Sequence, residues 1–258
     1  MSERLYLTDA LFYFKNKLYY QTDENEPVVK LNNKNWHKYL DGYGWDKLPY
    51  GWKRRLKSND ANFRYGLLDC GAQGDCLFHC IAEALNDSRD LENTKHDVQS
   101  LRTMTAEMIT DDNFITILEN YKCEEESGVF NGDWKPNEIK TKEELRDEIR
   151  KCGNNFWGDH ILLQLIQERL KFNVIVMNSE KLDFFNEKQS DLDIEERFTI
   201  HPMACDLKKY DITIILYYED GLHFQLVGIF DKCDMLTKFK YEQLPERLLE
   251  VYRIDCRI

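Results

Sequence analysis

Residues Leu67–Leu85 read LLDCGAQGDCLFHCIAEAL, and the passage at Cys76 from a polar turn to an apolar segment decides how the chain is read. Gly71 and Gly74 punctuate the turn. Beyond it, Leu77, Ile81, Ala84 and Leu85 recur at helical spacing and predict one apolar helix face. A cysteine at that junction has two readings. Adjacent backbone amides in AQGDC, with Gly74 permitting an unusual backbone, can gather developing negative charge, and a helix N-terminus favours thiolate. Cys76 is then a nucleophile, with Gln73, Gly74 and Asp75 shaping its turn. In the other reading Cys76 is a small buried hydrophobe, as Cys80 beside the apolar face is taken to be.

A cysteine nucleophile needs a base. DITIILYYEDGLHFQLVGIF predicts two strands separated by Glu219, Asp220 and Gly221, which puts His223 near the start of the second. His223 can deprotonate Cys76 and later protonate an amine leaving group if the fold brings the two together. Between these anchors, Val98, Leu101, Met104, Met108 and Ile109 predict a helix, with a shorter one at Phe114 to Leu118. CEEESGVFNGDWKPNE reads as a surface loop. Thr141 and Glu144 form a capping box, and Asp159 caps an apolar helix that leads into a strand over Phe172 to Met177. Residues 179 to 209 are more polar, with Phe184 and Phe185 available for packing, and YEQLPERLLEVY supplies a closing helix or turn.

The N-terminal portion reads as an extension. LFYFKNKLYYQ predicts a hairpin about Lys-Asn-Lys, and DGYGWDKLPYG an irregular packed connector. We therefore divide the chain into residues 1 to 62, packed against the core, and a main domain over residues 63 to 258. With 258 residues and 42% hydrophobic content, the chain can bury a large core. Its eight cysteines do not repeat as paired ligands, so no structural zinc is expected. The start has no basic segment followed by an apolar signal core, and no run reaches membrane-spanning length; a reducing, soluble, cytoplasmic setting follows. A formal charge of −12 disfavours nucleic acid and anionic membranes as partners. The local exception, Lys53, Arg54 and Arg55 among aromatics, has no groove-reading motif around it.

Three separated segments together resemble the ovarian-tumour (OTU) family of papain-like cysteine deubiquitinases. GAQGDCLFHCIAEAL is similar to that family's nucleophile motif, WGDHILLQLI to its Trp-Gly-x-His helix opening, and IILYYEDGLHFQLV to its terminal hairpin. The resemblance organises roughly residues 66 to 230. It implies an α+β papain-like fold with helices packed around a mostly antiparallel sheet, Cys76 as nucleophile, and His223 as general base and acid. Trp157 and His160 match features that build the fold. The implied reaction is hydrolysis of isopeptide or peptide bonds at the C-terminus of ubiquitin or polyubiquitin, without metal or organic cofactor.

Two departures leave the third catalytic residue open. Gln73 stands where the family commonly has Asp, and Gln225 where it commonly has Asp or Asn. Gln225 can orient the imidazole through its amide oxygen; the resemblance, in which some members draw the third residue from upstream of the cysteine, leaves Asp69 or a more distant acid as the alternative. Asp75 takes the family's Asn place and is expected to turn its carboxylate away from the developing oxyanion, leaving its backbone amide to act. Gln73 and Gln225 also fit a catalytically weak ubiquitin-binding protein, and a protease for a ubiquitin-like modifier is a further alternative. The extension and these departures suit a virus or intracellular parasite protein acting on ubiquitin in the host cytoplasm.

Overall fold

The computed structural model describes residues 4–56, 64–86, 95–179, 197–201, 203, 206–231 and 234–257. The boundary expected between residues 62 and 63 lies outside them, as do Phe184 and Phe185.

The chain begins with a small antiparallel sheet, β1 (Leu5–Tyr6), β2 (Leu11–Phe14), β3 (Lys17–Tyr20) and β4 (Val29–Lys30). The predicted hairpin is β2–β3; Lys15 and Asn16 at its turn both have left-handed φ, the geometry of a two-residue turn matched to strand twist. Helix α1 (Trp36–Leu40) follows, then β5 (Trp45–Lys47) and α2 (Tyr50–Arg55). The segment expected to be irregular thus carries a strand, and β5 pairs antiparallel with β6 (Tyr65–Leu68). Three residues are too few to show alternation; the distant partner supplies the order.

The helical layer comprises α3 (Cys76–Leu85), α4 (Val98–Glu107), α5 (Asp111–Ser127), α6 (Lys142–Arg150) and α7 (His160–Leu170). Helix α5 runs well beyond the expected Phe114 to Leu118. Glutamates are good helix formers on an exposed face, and Gly128, at φ 75°, ends the helix in the left-handed conformation. Thr141 and Glu144 make the reciprocal capping box, and Asp159 accepts from Leu162 N at 2.8 Å to start α7.

β7 (Phe172–Ser179), β8 (Ile200–His201), β9 (Ile212–Glu219), β10 (His223–Asp231), β11 (Asp234–Leu236) and β12 (Lys238–Phe239) complete the large sheet before α8 (Glu246–Cys256). Among the described residues its main order is β5-β6-β10-β9-β7-β8, with β11 on β10 and β12 on β9. Only the β7–β9 pairing is parallel among the registers described. The architecture is the α+β arrangement expected, helices around a mostly antiparallel sheet.

Both faces of that sheet are covered. Val174, Leu216, Phe224 and Leu226 face the helical layer with Leu77, Phe78, Ile81 and Ile166. Ile175, Ile215 and Val227 face Trp52, Leu248 and Val251 from α2 and α8. Burial of each such side chain stabilises by about 1.5–3 kcal/mol. Alternation along β10 therefore sets His223 and Gln225 on the face opposite Phe224, at the start of the strand.

Candidate active site

The turn that leads into Cys76 is a run of backbone conformations few side chains adopt. Gly71, Gln73 and Gly74 have φ of 137°, 64° and 83°. A Cβ on Gly74 would meet the carbonyl oxygen of Gly153 at 2.4 Å, so that position excludes any side chain. Asp75, the N-cap residue, makes no side-chain cap to α3. Its carboxylate turns to Arg102 Nε at 2.6 Å and accepts from Gly153 N–H at 2.7 Å. Arg102 is fully buried and also donates to Gly74 O at 3.2 Å. Gly158, from the Trp-Gly-x-His segment, donates its N–H to the same carbonyl at 3.3 Å. Among the described residues, no hydrogen-bond acceptor meets the backbone N–H groups of Gln73, Gly74 or Asp75.

Cys76 is buried at the start of α3, with Sγ 3.5 Å from the N–H of Phe224. Cys80, one turn on, donates its thiol to Phe224 O at 3.5 Å, so α3 grips the peptide groups on both sides of Phe224. Burial pushes the Cys76 thiol above its ordinary value; the N–H groups of Phe224, Leu77 and Cys76 itself pull it back, and the Asp75 charge adds to the rise. The backbone amides act in the direction expected of a helix terminus and favour thiolate, but burial outweighs them and the net direction is upward.

His223 Nε2 lies 3.3 Å from Asp69 Oδ1, and the same oxygen accepts from Gly71 N–H at 3.1 Å. The side chains of His223 and Asp69 are 25% and 56% exposed, so this pair stands at the solvent edge of the site. Of the two candidate orienters, Asp69 meets the imidazole. Gln225, two residues along β10, has no hydrogen bond to it among the described residues. Nor does any hydrogen bond join Cys76 to His223; the thiol meets the backbone of the residue next to the imidazole.

Two clefts flank these groups. One, of about 380 Å³, is lined by His160, Leu163, Tyr218, Asp220 and Phe224 among others, with the Tyr218 and Phe224 rings stacked at 4.3 Å. The other, of about 700 Å³, is lined by Asp69, His79, Glu83, Gln99 and Cys152 among others. Among the described residues no group of three or more His, Cys, Asp or Glu side chains is placed to hold a metal ion, and no helix is long and apolar enough to cross a membrane. The basic cluster near residue 54 is partly consumed by the fold: Arg55 is buried, bonded to Phe198 O and the Asp255 carboxylate.

Sequence reading missed Arg102 and Gly158. Arg102 stands beside Leu101 on the buried side of α4, and the one available signal was a cation bordering an apolar stripe. Gly158 was visible only as part of a motif, yet a Cβ there would meet Leu77 Cβ at 2.6 Å while its N–H braces Gly74.

A sequence profile of the family described as OTU-like cysteine protease matches residues 71–205, just over half of the chain. No curated protein matches. Among solved structures, the OTU domain of OTUD1 is 16% identical, with TM-score 0.41, over 70% of this chain and 93% of that one. An OTU deubiquitinase from Wolbachia pipientis wMel, bound to ubiquitin, is 16% identical with TM-score 0.39, over 65% and 96% of the two chains. The Hazara virus OTU bound to ubiquitin is 11% identical with TM-score 0.37, over 90% and 97%.

Proposed function

Because the chain belongs to the OTU-like cysteine protease family, we propose that it hydrolyses the isopeptide or peptide bond at the C-terminus of ubiquitin or polyubiquitin. The observation that carries the reading is the convergence of three elements: Cys76 Sγ lies 3.5 Å from Phe224 N–H, the preceding residue is His223, and its Nε2 is 3.3 Å from Asp69 Oδ1. With Nε2 held by Asp69, Nδ1 is the ring nitrogen left to take the thiol proton.

In this reaction Sγ attacks the terminal glycine carbonyl as its proton passes to His223. The N–H groups of the Gly71 to Cys76 turn stabilise the oxyanion, those of Gln73, Gly74 and Asp75 being without acceptors among the described residues. His223 then protonates the departing amine, and water, activated by the same imidazole, hydrolyses the thioester and regenerates the thiol. Asp69 orients the imidazole; Gln225 is not needed for that role. The flanking clefts give room for the modifier's tail and the acceptor. In this reading residues 63 to 258 form the protease domain, residues 1 to 62 a packed extension, and the cytoplasm is the setting.

The resting geometry supports one competing reading, a catalytically weak ubiquitin-binding protein. Burial raises the Cys76 thiol and no Cys76–His223 hydrogen bond is formed. Time-resolved cleavage of a ubiquitin C-terminal fluorogenic amide by the reduced full chain, with Cys76→Ala and His223→Ala in parallel, separates the two. Turnover lost in both variants is expected. Absent turnover together with retained ubiquitin binding would replace the hydrolase by the binder, and turnover only of a ubiquitin-like modifier's amide would reassign the substrate.

A further inference from the structure

The nucleophile turn rests on a side chain that the reaction does not touch. Arg102 sends Nε to Asp75 Oδ1 at 2.6 Å, Nη1 to Ile149 O at 3.0 Å, and Nη2 to Gly74 O at 3.2 Å and Phe156 O at 2.7 Å. Its guanidinium carbon sits 4.3 Å over the Phe78 ring. One planar fork therefore ties together the nucleophile turn, the end of α6 and the loop before α7.

The consequence lies in one peptide plane. Gly74 O is held by two donors, Arg102 Nη2 and Gly158 N–H. In a trans peptide the carbonyl and the following N–H point in opposite directions, so fixing Gly74 O toward Arg102 fixes Asp75 N–H away from it. That N–H has no acceptor among the described residues. The Asp75 carboxylate, which would oppose a developing oxyanion, is turned away and paired with Arg102, whose side chain is 0% exposed. A lysine could pair with Asp75, but as a single ammonium on a flexible stem it could not hold all four oxygens in this planar arrangement.

We propose that Arg102 is a positioning residue for the oxyanion hole: it locks the Gly74–Asp75 peptide so that the Asp75 N–H is presented to the substrate carbonyl oxygen. This rests on the hydrolase reading above. It differs from a purely cohesive role because it ties Arg102 to the transition state and not to substrate affinity or thiol reactivity.

The test uses the full chain and Arg102→Lys, with three readouts: kcat and KM on the ubiquitin C-terminal amide, inhibition by a ubiquitin C-terminal aldehyde, and the rate of Cys76 alkylation by iodoacetamide. The aldehyde forms a hemithioacetal whose oxygen occupies the oxyanion position, whereas alkylation needs the thiol alone. In Arg102→Lys we expect kcat to fall about 100-fold, aldehyde affinity to fall by a similar factor, and KM and alkylation rate to stay within about threefold. Circular dichroism establishes that the variant is folded at the assay temperature; if it is not, Arg102→Gln carries the same comparison. Unchanged kcat, a kcat loss matched by the alkylation rate, or failure of both variants to fold would overturn the assignment while leaving the hydrolase reading intact. Wild-type protein that does not turn over the amide would instead remove the reading on which the assignment rests.

Discussion

The two halves of the site are held in opposite ways. At the turn before Cys76, a fully buried arginine and the Gly158 N–H hold the Gly74 carbonyl, and the same arginine and the Gly153 N–H hold the buried Asp75 carboxylate. On the histidine side, a single 3.3 Å contact joins two partly exposed side chains. Multiple partners in a desolvated setting fix geometry, whereas one solvated contact leaves side-chain freedom. The difference matches the proposed chemistry: the half that receives the carbonyl oxygen is set in advance, and the half that moves protons must reach Sγ, reach an amine and return.

Cys76→Ala provides the largest test of that contrast. It should abolish turnover of the ubiquitin amide, by at least about 10⁴-fold, without loss of the folded state in a urea titration. His223→Ala should cost somewhat less, about 10³-fold in kcat, because the attacking thiol remains along with the oxyanion donors. Arg102→Ala should act on stability as well as on kcat. It leaves the Asp75 carboxylate without its cation and removes a donor from the Gly74, Ile149 and Phe156 carbonyls, with an expected loss of about 3–5 kcal/mol in urea unfolding. Asp69→Asn should lower kcat by about 10- to 100-fold and leave urea stability within about 0.5 kcal/mol, as expected for an exposed pair. Equal stability losses at Arg102 and Asp69 would erase the contrast.

The pH profile sharpens it further. Since burial, with a smaller contribution from the Asp75 charge, raises the Cys76 thiol above its ordinary value, the iodoacetamide rate at Cys76 should still be climbing where that of a cysteine in an unstructured peptide has levelled. An early plateau would indicate that the helix-terminal amides outweigh burial. The smallest expected effect belongs to Gln225→Ala, with kcat within about threefold of wild type, because no hydrogen bond joins Gln225 to His223 among the described residues.

Local rules made much of this legible from sequence. The capping pair Thr141–Glu144, the Asp159 cap and the Lys15–Asn16 turn concern residues within a few positions of one another, and their chemistry is complete over that span. The fold class was legible through the family resemblance of three separated motifs, and local turn and periodicity signals placed Cys76 at the start of a helix and His223 at the start of a strand, where the structure has them. The choice between Asp69 and Gln225 was not, since Asp69 and His223 are 154 positions apart and only strand pairing brings them together. Strand β5 and the role of Arg102 escaped for the same reason: pairing with Tyr65–Leu68, and a fork spanning four loop and helix-end groups, leave little trace in local composition.

Strand β10 starts with His223 and ends in the territory of the N-terminal sheet. Phe230 is fully buried with Leu11, Leu18, Trp36 and Leu40, and a Cβ on Gly228 would meet the Trp45 ring at 2.4 Å. The profile-matched stretch, residues 71–205, includes neither this strand nor its cover. An expression fragment trimmed to that stretch would lack the imidazole outright. One restored only as far as β10 would still present Phe230 and its neighbours to water, inviting aggregation before any activity could be assayed. The smallest piece of this chain worth producing therefore begins near its first strand.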